Sequence, residues 1–126
     1  MSDAQYQAGL ELRRAMFGPG GVDQQIEAAT EFTAPMQEMV TRLCFGEVWH
    51  RDPLDRRTRS MLTIAMLVAL GKPNQIRVHV RGAIANGVSN EEIREILLHG
   101  MVYCGVPASV DAFLAAGETL RDMGLE

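Results

Sequence analysis

The stretch GEVWHRDPLDRRTRS, residues 46–60, runs directly into MLTIAMLVAL, residues 61–70, which is apolar apart from Thr63. Asp55 is a favourable residue for capping a helix N-terminus, and Gly71 is suited to ending one. A helix that is apolar on all sides is normally buried. The pattern therefore predicts a buried helix from Asp55 to Gly71, with a dense polar cluster at its beginning.

The arginines of that cluster oppose the helix dipole. Arg56, Arg57 and Arg59 fall in the first helical turn, where the dipole favours anions rather than cations. Two sources of compensating negative charge are open. One is the protein itself, through four-residue pairs such as Glu47 with Arg51 and Asp55 with Arg59. The other is an anionic ligand, because arginine forks at a helix N-terminus suit carboxylates and phosphates.

Composition limits the classes of protein that the chain can represent. The chain has 126 residues and a formal net charge of −4, so we expect a single domain, 1–126, and no general attraction to nucleic acid. The first residues have no apolar signal core, and the longest apolar run is shorter than a membrane span. We therefore expect a cytoplasmic protein with no membrane partner.

The two cysteines, Cys44 and Cys104, lie far apart in apolar segments. They form no Cys-x-x-Cys motif and no zinc-ligand spacing. The sequence therefore predicts two buried free thiols and no metal site.

The remaining pattern is helical throughout, because no stretch alternates as a strand does. Ser89 and Glu92 have the spacing of a capping box that opens a helix through Tyr103. With this helix, the predicted helices are residues 3–17, 22–29, a helix capped by Thr33, 55–71, 73–86, and a last helix from Ala108. The predicted apolar stripes are Met36, Met39/Val40, Leu43/Cys44 and Val48; Ile76, Val80 and Ala83/Ile84; Ile93, Ile96/Leu97, Met101 and Cys104; and Val110, Phe113/Leu114, Gly117 and Leu120.

Several motifs together resemble the carboxymuconolactone decarboxylase family. They are Gly46-Glu47-x-Trp49-x-Arg51, Arg57-x-Arg59-Ser60, His79-x-x-Gly82-Ala83-x-x-Asn86-Gly87-Val88 and Tyr103-x-Gly105-Val106-Pro107. The resemblance covers nearly the whole chain. It implies an all-α, alkyl hydroperoxidase D-like bundle of about six to seven helices that assembles into a homo-oligomeric ring of six.

The same resemblance implies an activity. Family members convert 4-carboxymuconolactone to β-ketoadipate enol-lactone and CO2 in protocatechuate degradation, without a cofactor. Such a reaction needs an anchor for carboxylates, a donor to the developing enolate oxygen and a proton source for carbon. The implied catalytic residues are His79, as general acid at its ordinary pKa, and Glu47. The implied substrate-binding residues are Arg51, Arg57, Arg59, Trp49 and Tyr103.

Other interpretations remain open beside this one. Trp49 is equally consistent with a core or interface anchor, and His79 and His99 with packed or solvated residues. Relatives with thiol peroxidase activity carry a dithiol where this chain has Lys72 and Gln75, which disfavours peroxidase chemistry. A helical oligomer that only binds a small anion, or that acts on another lactone acid, is the further alternative.

Overall fold

The computed structural model describes residues 2–126, and side chains from residue 4 onward. Over residues 2–126 it contains seven α-helices and no strand, which confirms the all-α prediction and its helix count. The helices are α1 (Ser2–Phe17), α2 (Pro19–Glu27), α3 (Ala34–Met39), α4 (Arg56–Leu70), α5 (Pro73–Ala85), α6 (Asn90–Cys104) and α7 (Val106–Asp122). A π-helical segment (Val40–Phe45) and a 3₁₀ turn (Val48–His50) lie between α3 and α4.

The chain forms two compact units. The first ends at Arg56, and the second comprises Arg57–Glu126. The prediction of one domain stays a prediction. Within the described residues, no helix is both long and apolar enough to cross a bilayer.

The break between α1 and α2 is shorter than the sequence predicts. Gly18 alone has a positive φ there, at 87°, and Pro19 begins α2. Proline suits the first helical turn because its φ is already helical and its missing N–H would have no helical partner. Gly20 and Gly21 therefore lie inside a helix, and the predicted glycine turn followed by a helix over 22–29 was wrong.

The helix after Thr33 begins as predicted, with Pro35 in its first turn. It then widens into the π segment, which rotates the following side chains relative to an α-helix. Thr41 and Phe45 are buried, while Met36, Met39 and Leu43 are exposed. The predicted apolar stripe was therefore wrong. Beyond Met39 it assumed a regular helical period, which the π segment interrupts.

In the second unit, α4 has the predicted bounds, but only one of its faces is buried. Ser60, Ile64 and Val68 are fully buried at four-residue spacing, whereas Leu62, Met66 and Leu70 are 42%, 60% and 67% exposed. The prediction of a helix buried on all sides was wrong for this chain, and α4 presents an apolar face to solvent.

Helices α5, α6 and α7 pack with α4 around the core of the second unit. Ile76 and Val80 of α5 and Ile93 and Leu97 of α6 are buried, as predicted. The capping box of Ser89 and Glu92 is also confirmed, since each side chain accepts a hydrogen bond from the other residue's backbone N–H.

Helix α7 buries mainly small side chains, with Leu120 of the predicted stripe as the large one. Its fully or nearly fully buried residues include Ala112, Ala115 and Ala116, and the Ser109 hydroxyl donates to the Leu97 carbonyl oxygen at 2.9 Å. The predicted stripe residues Val110 and Leu114 are exposed. Small residues allow close approach of helix backbones, and here that contact outweighs the burial of larger side chains.

Candidate active site

The predicted site residues of the first unit lie on one short segment. Glu47 directly precedes the 3₁₀ turn, and its carbonyl oxygen accepts from His50 N at 3.0 Å. Arg51 follows that turn in an extended conformation. Both side chains are exposed. The two residues therefore flank a 3₁₀ turn and do not share one α-helix.

Trp49 lies in the core of the first unit. It is 8% exposed, and its ring stacks on that of Phe45 with the centroids 5.7 Å apart. Leu12 and Met16 of α1 complete this cluster. Trp49 is thus placed as a core anchor. A contact between its ring and the substrate stays a prediction.

The arginines at the start of α4 differ in their surroundings. Arg57 forms an ion pair with Glu92, whose carboxylate also accepts from Ser89 N in the capping box. Arg56 bonds His50 Nδ1 at 3.0 Å on the protein surface. Arg59 is half-buried, beside the fully buried Ser60. For Arg57, therefore, the protein itself supplies the compensating negative charge.

The sequence identified Glu92 only as a capping residue. Its pairing with Arg57 spans 35 positions of sequence and depends on how the two segments pack. No local pattern contains that information.

His79 lies half-buried on α5. Burial disfavours the charged imidazolium and lowers the pKa of His79 from 6.5 to about 4. The expectation of a general acid at neutral pH assumed an ordinary pKa. With the lowered pKa the ring is neutral at pH 7, and a neutral imidazole still carries one N–H donor.

This lowered pKa predicts a pH dependence of stability. Between about pH 4 and 6.5 the unfolded chain binds a proton at His79 that the folded chain does not. The free energy of unfolding should therefore fall as the pH drops from 6.5 toward 4, and His79 should contribute no dependence above 6.5.

We expect His79→Gln to lack this dependence, so that its stability relative to wild type rises by about 2 kcal/mol between pH 7 and pH 4.5. Urea unfolding of both proteins at each pH measures the difference. Parallel pH profiles for the two proteins would contradict the lowered pKa.

Tyr103 lies at the end of α6, where it is 78% exposed and its ring centroid is 4.9 Å from that of His99. Both line a groove of about 980 Å³ beside α4 and α6. The groove has apolar walls, which include Met61, Leu62 and Ile96, and three carboxylates, those of Glu91, Glu92 and Glu95. His79 lies outside this groove, whose carboxylates would repel a dicarboxylate.

The thiols are free, but they are not both buried. Cys44 is exposed on the π segment and Cys104 is half-buried at the end of α6. The prediction of two buried thiols was wrong for Cys44, because the π segment turns that position outward. Lys72 and Gln75 stand at the positions of the dithiol in the peroxidase relatives. Lys72 directly precedes α5, and Gln75 lies in its first turn.

Comparison with known proteins assigns this chain to a family. The sequence model of the carboxymuconolactone decarboxylase family matches residues 34–118. This chain belongs to that family. The match extends from the start of α3 to within α7, and so includes every site residue predicted from the sequence.

Named relatives support the assignment over a longer range. The chain is 40% identical over 126 residues to a 4-carboxymuconolactone decarboxylase of Acinetobacter baylyi, covering 99% of this chain and 94% of the relative. It is 39% identical over 118 residues to the nitrosuccinic acid decarboxylase npaB of Metarhizium robertsii, covering 94% and 82%. A 42-residue match to a 4-carboxymuconolactone decarboxylase of Pseudomonas putida is also 40% identical, covering 33% and 88%.

Proposed function

We propose that this protein is a carboxy-lyase that converts 4-carboxymuconolactone to β-ketoadipate enol-lactone and CO2, without a cofactor, in protocatechuate degradation. The observation that carries the proposal is the 40% identity, over 99% of this chain, to a relative named for that activity. The cytoplasmic location expected from the sequence stays a prediction.

The chemistry of the substrate defines what the residues must do. As CO2 leaves, its bonding electrons move through the ring double bond to the lactone carbonyl, and the carbon beside that carbonyl then takes a proton. Tight binding of the departing carboxylate would stabilise the ground state and so oppose the reaction. Binding of the second carboxylate holds the substrate equally in the ground state and in the transition state.

In the second unit, we assign Arg59 to the carboxylate that stays, because arginine forks pair with carboxylates and its helix terminus adds positive potential. We assign His79 to the lactone oxygen. Its neutral N–H can donate a hydrogen bond where negative charge develops, and such a donor is most effective when it is shielded from water. Arg57 forms an ion pair with Glu92, which a substrate carboxylate would have to displace.

In the first unit, Glu47 is our candidate for delivering the proton to carbon, with Arg51 as a further carboxylate ligand. Trp49 stays a candidate contact of the lactone body on the family resemblance alone, and Tyr103 is the weaker one, since it lines the groove that holds Glu91, Glu92 and Glu95.

We also propose that the chain assembles into a ring of six, as the family resemblance implies. The exposed apolar side chains support an assembly, because monomers rarely expose such surface without a use for it. These side chains include Leu62, Met66 and Leu70 of α4, Val102 of α6, and Val106 and Leu114 of α7.

A second candidate substrate class is favoured by the 39% identity to the nitrosuccinic acid decarboxylase. Nitrosuccinic acid is also a dicarboxylic acid, and its decarboxylation can leave electrons beside a strongly electron-withdrawing group. An acyclic dicarboxylate of this kind would need the same carboxylate anchor and the same oxygen-directed donor.

The experiment is to give purified wild-type protein freshly generated 4-carboxymuconolactone and, separately, nitrosuccinate. CO2 release and product formation are followed against enzyme-free blanks that record spontaneous decay. We expect turnover of the lactone and, by light scattering, a particle about six times the mass of one chain. Turnover of nitrosuccinate alone would select the second candidate, and turnover of neither by assembled protein would refute the decarboxylase proposal.

A further inference from the structure

One face of α1 holds the π segment through polar and backbone contacts. Gln5, Gly9 and Arg13 are spaced four residues apart and therefore share that face. Gln5 Nε2 donates to the Arg42 carbonyl oxygen at 2.9 Å. A Cβ on Gly9 would overlap the carbonyl oxygen of Thr41 and lie 2.8 Å from Gly46 N. The two backbones thus meet directly at Gly9.

Arg13 is a buried residue of this face and donates several hydrogen bonds. It is only 5% exposed, and its Nη1 donates to Thr41 Oγ1 at 2.7 Å and to Gln37 Oε1 at 3.1 Å. Its Nη2 donates to Gln25 Oε1 at 3.1 Å. These three acceptors, on Thr41, Gln37 and Gln25, carry no charge.

A buried cation held only by neutral acceptors is a poor source of stability. Burial disfavours its charge and lowers the pKa of Arg13. Even a buried charge that is fully paired is weak evidence for stability, because desolvation offsets much of the gain from its partners. An arginine at position 13 is therefore better explained by the geometry that its hydrogen bonds impose than by a gain in stability.

That geometry extends to the predicted site. The Arg13 guanidinium lies over the Phe45 ring, 5.9 Å from its centroid, and Phe45 stacks on Trp49. A Cβ on Gly46 would lie within 3.1 Å of Thr41 O and would overlap the carbonyl oxygen of Gln5. Gly46 directly precedes Glu47, so α1 contacts the chain up to the residue before the candidate proton donor.

We propose that Arg13 is a positioning residue, which fixes the π segment against α1 and thereby sets the placement of Glu47 and Trp49. The inference rests on the proposed function for the role of Glu47. Its structural part, the ordering of the Glu47–Trp49 segment by Arg13, does not depend on the substrate.

The test compares Arg13→Met with Arg14→Met. Methionine keeps an unbranched chain and removes every donor. Arg14 is the matched control because it is an exposed arginine on the same helix, paired with Asp23 at 2.8 Å. Trp49, the only tryptophan, reports on the segment through acrylamide quenching of its fluorescence.

In Arg13→Met we expect kcat to fall about 10²-fold with KM within about threefold of wild type, as misplacement of a catalytic group by about 1 Å can cause. The quenching constant of Trp49 should at least double. The urea midpoint should also fall, because Thr41, Gln37 and Gln25 lose their donor. Arg14→Met should change none of these quantities.

A lower urea midpoint with unchanged quenching and kcat would show a merely structural role and overturn the inference, as would increased quenching without loss of kcat. If Arg13→Met does not fold, Arg13→Lys is measured in the same way. It keeps the charge but not the fork, so a wild-type kcat in that variant would overturn positioning. If wild type proves inactive on the lactone, the proposed function fails, and unchanged quenching would separately overturn the role of Arg13.

Discussion

Replacing His79 with glutamine is expected to lower kcat on 4-carboxymuconolactone by about 10²-fold or more, in the range typical of losing one donor to a developing oxyanion. The neutral ring offers an N–H donor from a half-buried position. Glutamine is also neutral and keeps a donor, but it places that donor differently. The loss should therefore appear mainly in kcat, because the interaction strengthens in the transition state.

The matched control is His50→Gln. The ring of His50 is exposed and bonded to Arg56, and we assign it no part in the reaction. We expect the kcat of His50→Gln to stay within about twofold of wild type, because surface substitutions away from the core and the active site usually have small effects. Undiminished turnover in His79→Gln would exclude His79 and leave Glu47 as the principal candidate.

The pH dependence of kcat/KM distinguishes two forms of His79. It reports the free enzyme, in which the pKa of His79 is about 4. If the neutral ring acts, the ratio of kcat/KM between wild type and His79→Gln should be level from about pH 5 upward and fall as the pH drops through 4. A tenfold decrease of that ratio per unit of rising pH above 4 would instead show that the imidazolium acts.

Replacing Arg59 with methionine is expected to raise KM for the lactone by about 10²-fold, because a charge-assisted bond to the anchored carboxylate contributes on the order of 2–3 kcal/mol. Methionine preserves the unbranched stem while removing the guanidinium. Since the anchor acts in the ground state and in the transition state alike, kcat should change little. Steady-state kinetics of the purified variant measure both constants.

Arg57→Met is the control for this substitution, two residues away on the same helix. Its guanidinium is paired with Glu92, so we expect KM within about threefold of wild type and a stability loss below about 1 kcal/mol, typical of a partly exposed ion pair. A larger rise in KM for Arg57→Met than for Arg59→Met would reverse the assignment, showing that substrate displaces Glu92.

Most helix boundaries could be predicted from the sequence because their causes are local. Gly71 and Gly87 end α4 and α5 with positive φ values of 67° and 89°, and Ser89 with Glu92 begins α6. Each signal acts within one turn of chain. The apolar periodicity of α5 and α6 was likewise sufficient to identify their buried residues.

The sequence misassigned buried faces in the segment from α3 through the π segment, in α4 and in α7. The π segment moves burial from Leu43 to Thr41 and Phe45, and α7 buries alanines while Leu114 is exposed. Part of the contact between α1 and the π segment is polar or passes through Gly9, and a search for apolar stripes does not find that part.

The sequence by itself determined the all-α class, most helix ends and the membership of a decarboxylase family, because these depend on local chemistry and on motifs in order along the chain. Only the tertiary structure decided that Arg57 is neutralised by Glu92, that Trp49 stacks in a core, and that burial keeps His79 neutral. These properties arise from groups distant in sequence, through desolvation and charge pairing that exist only when the chain is folded.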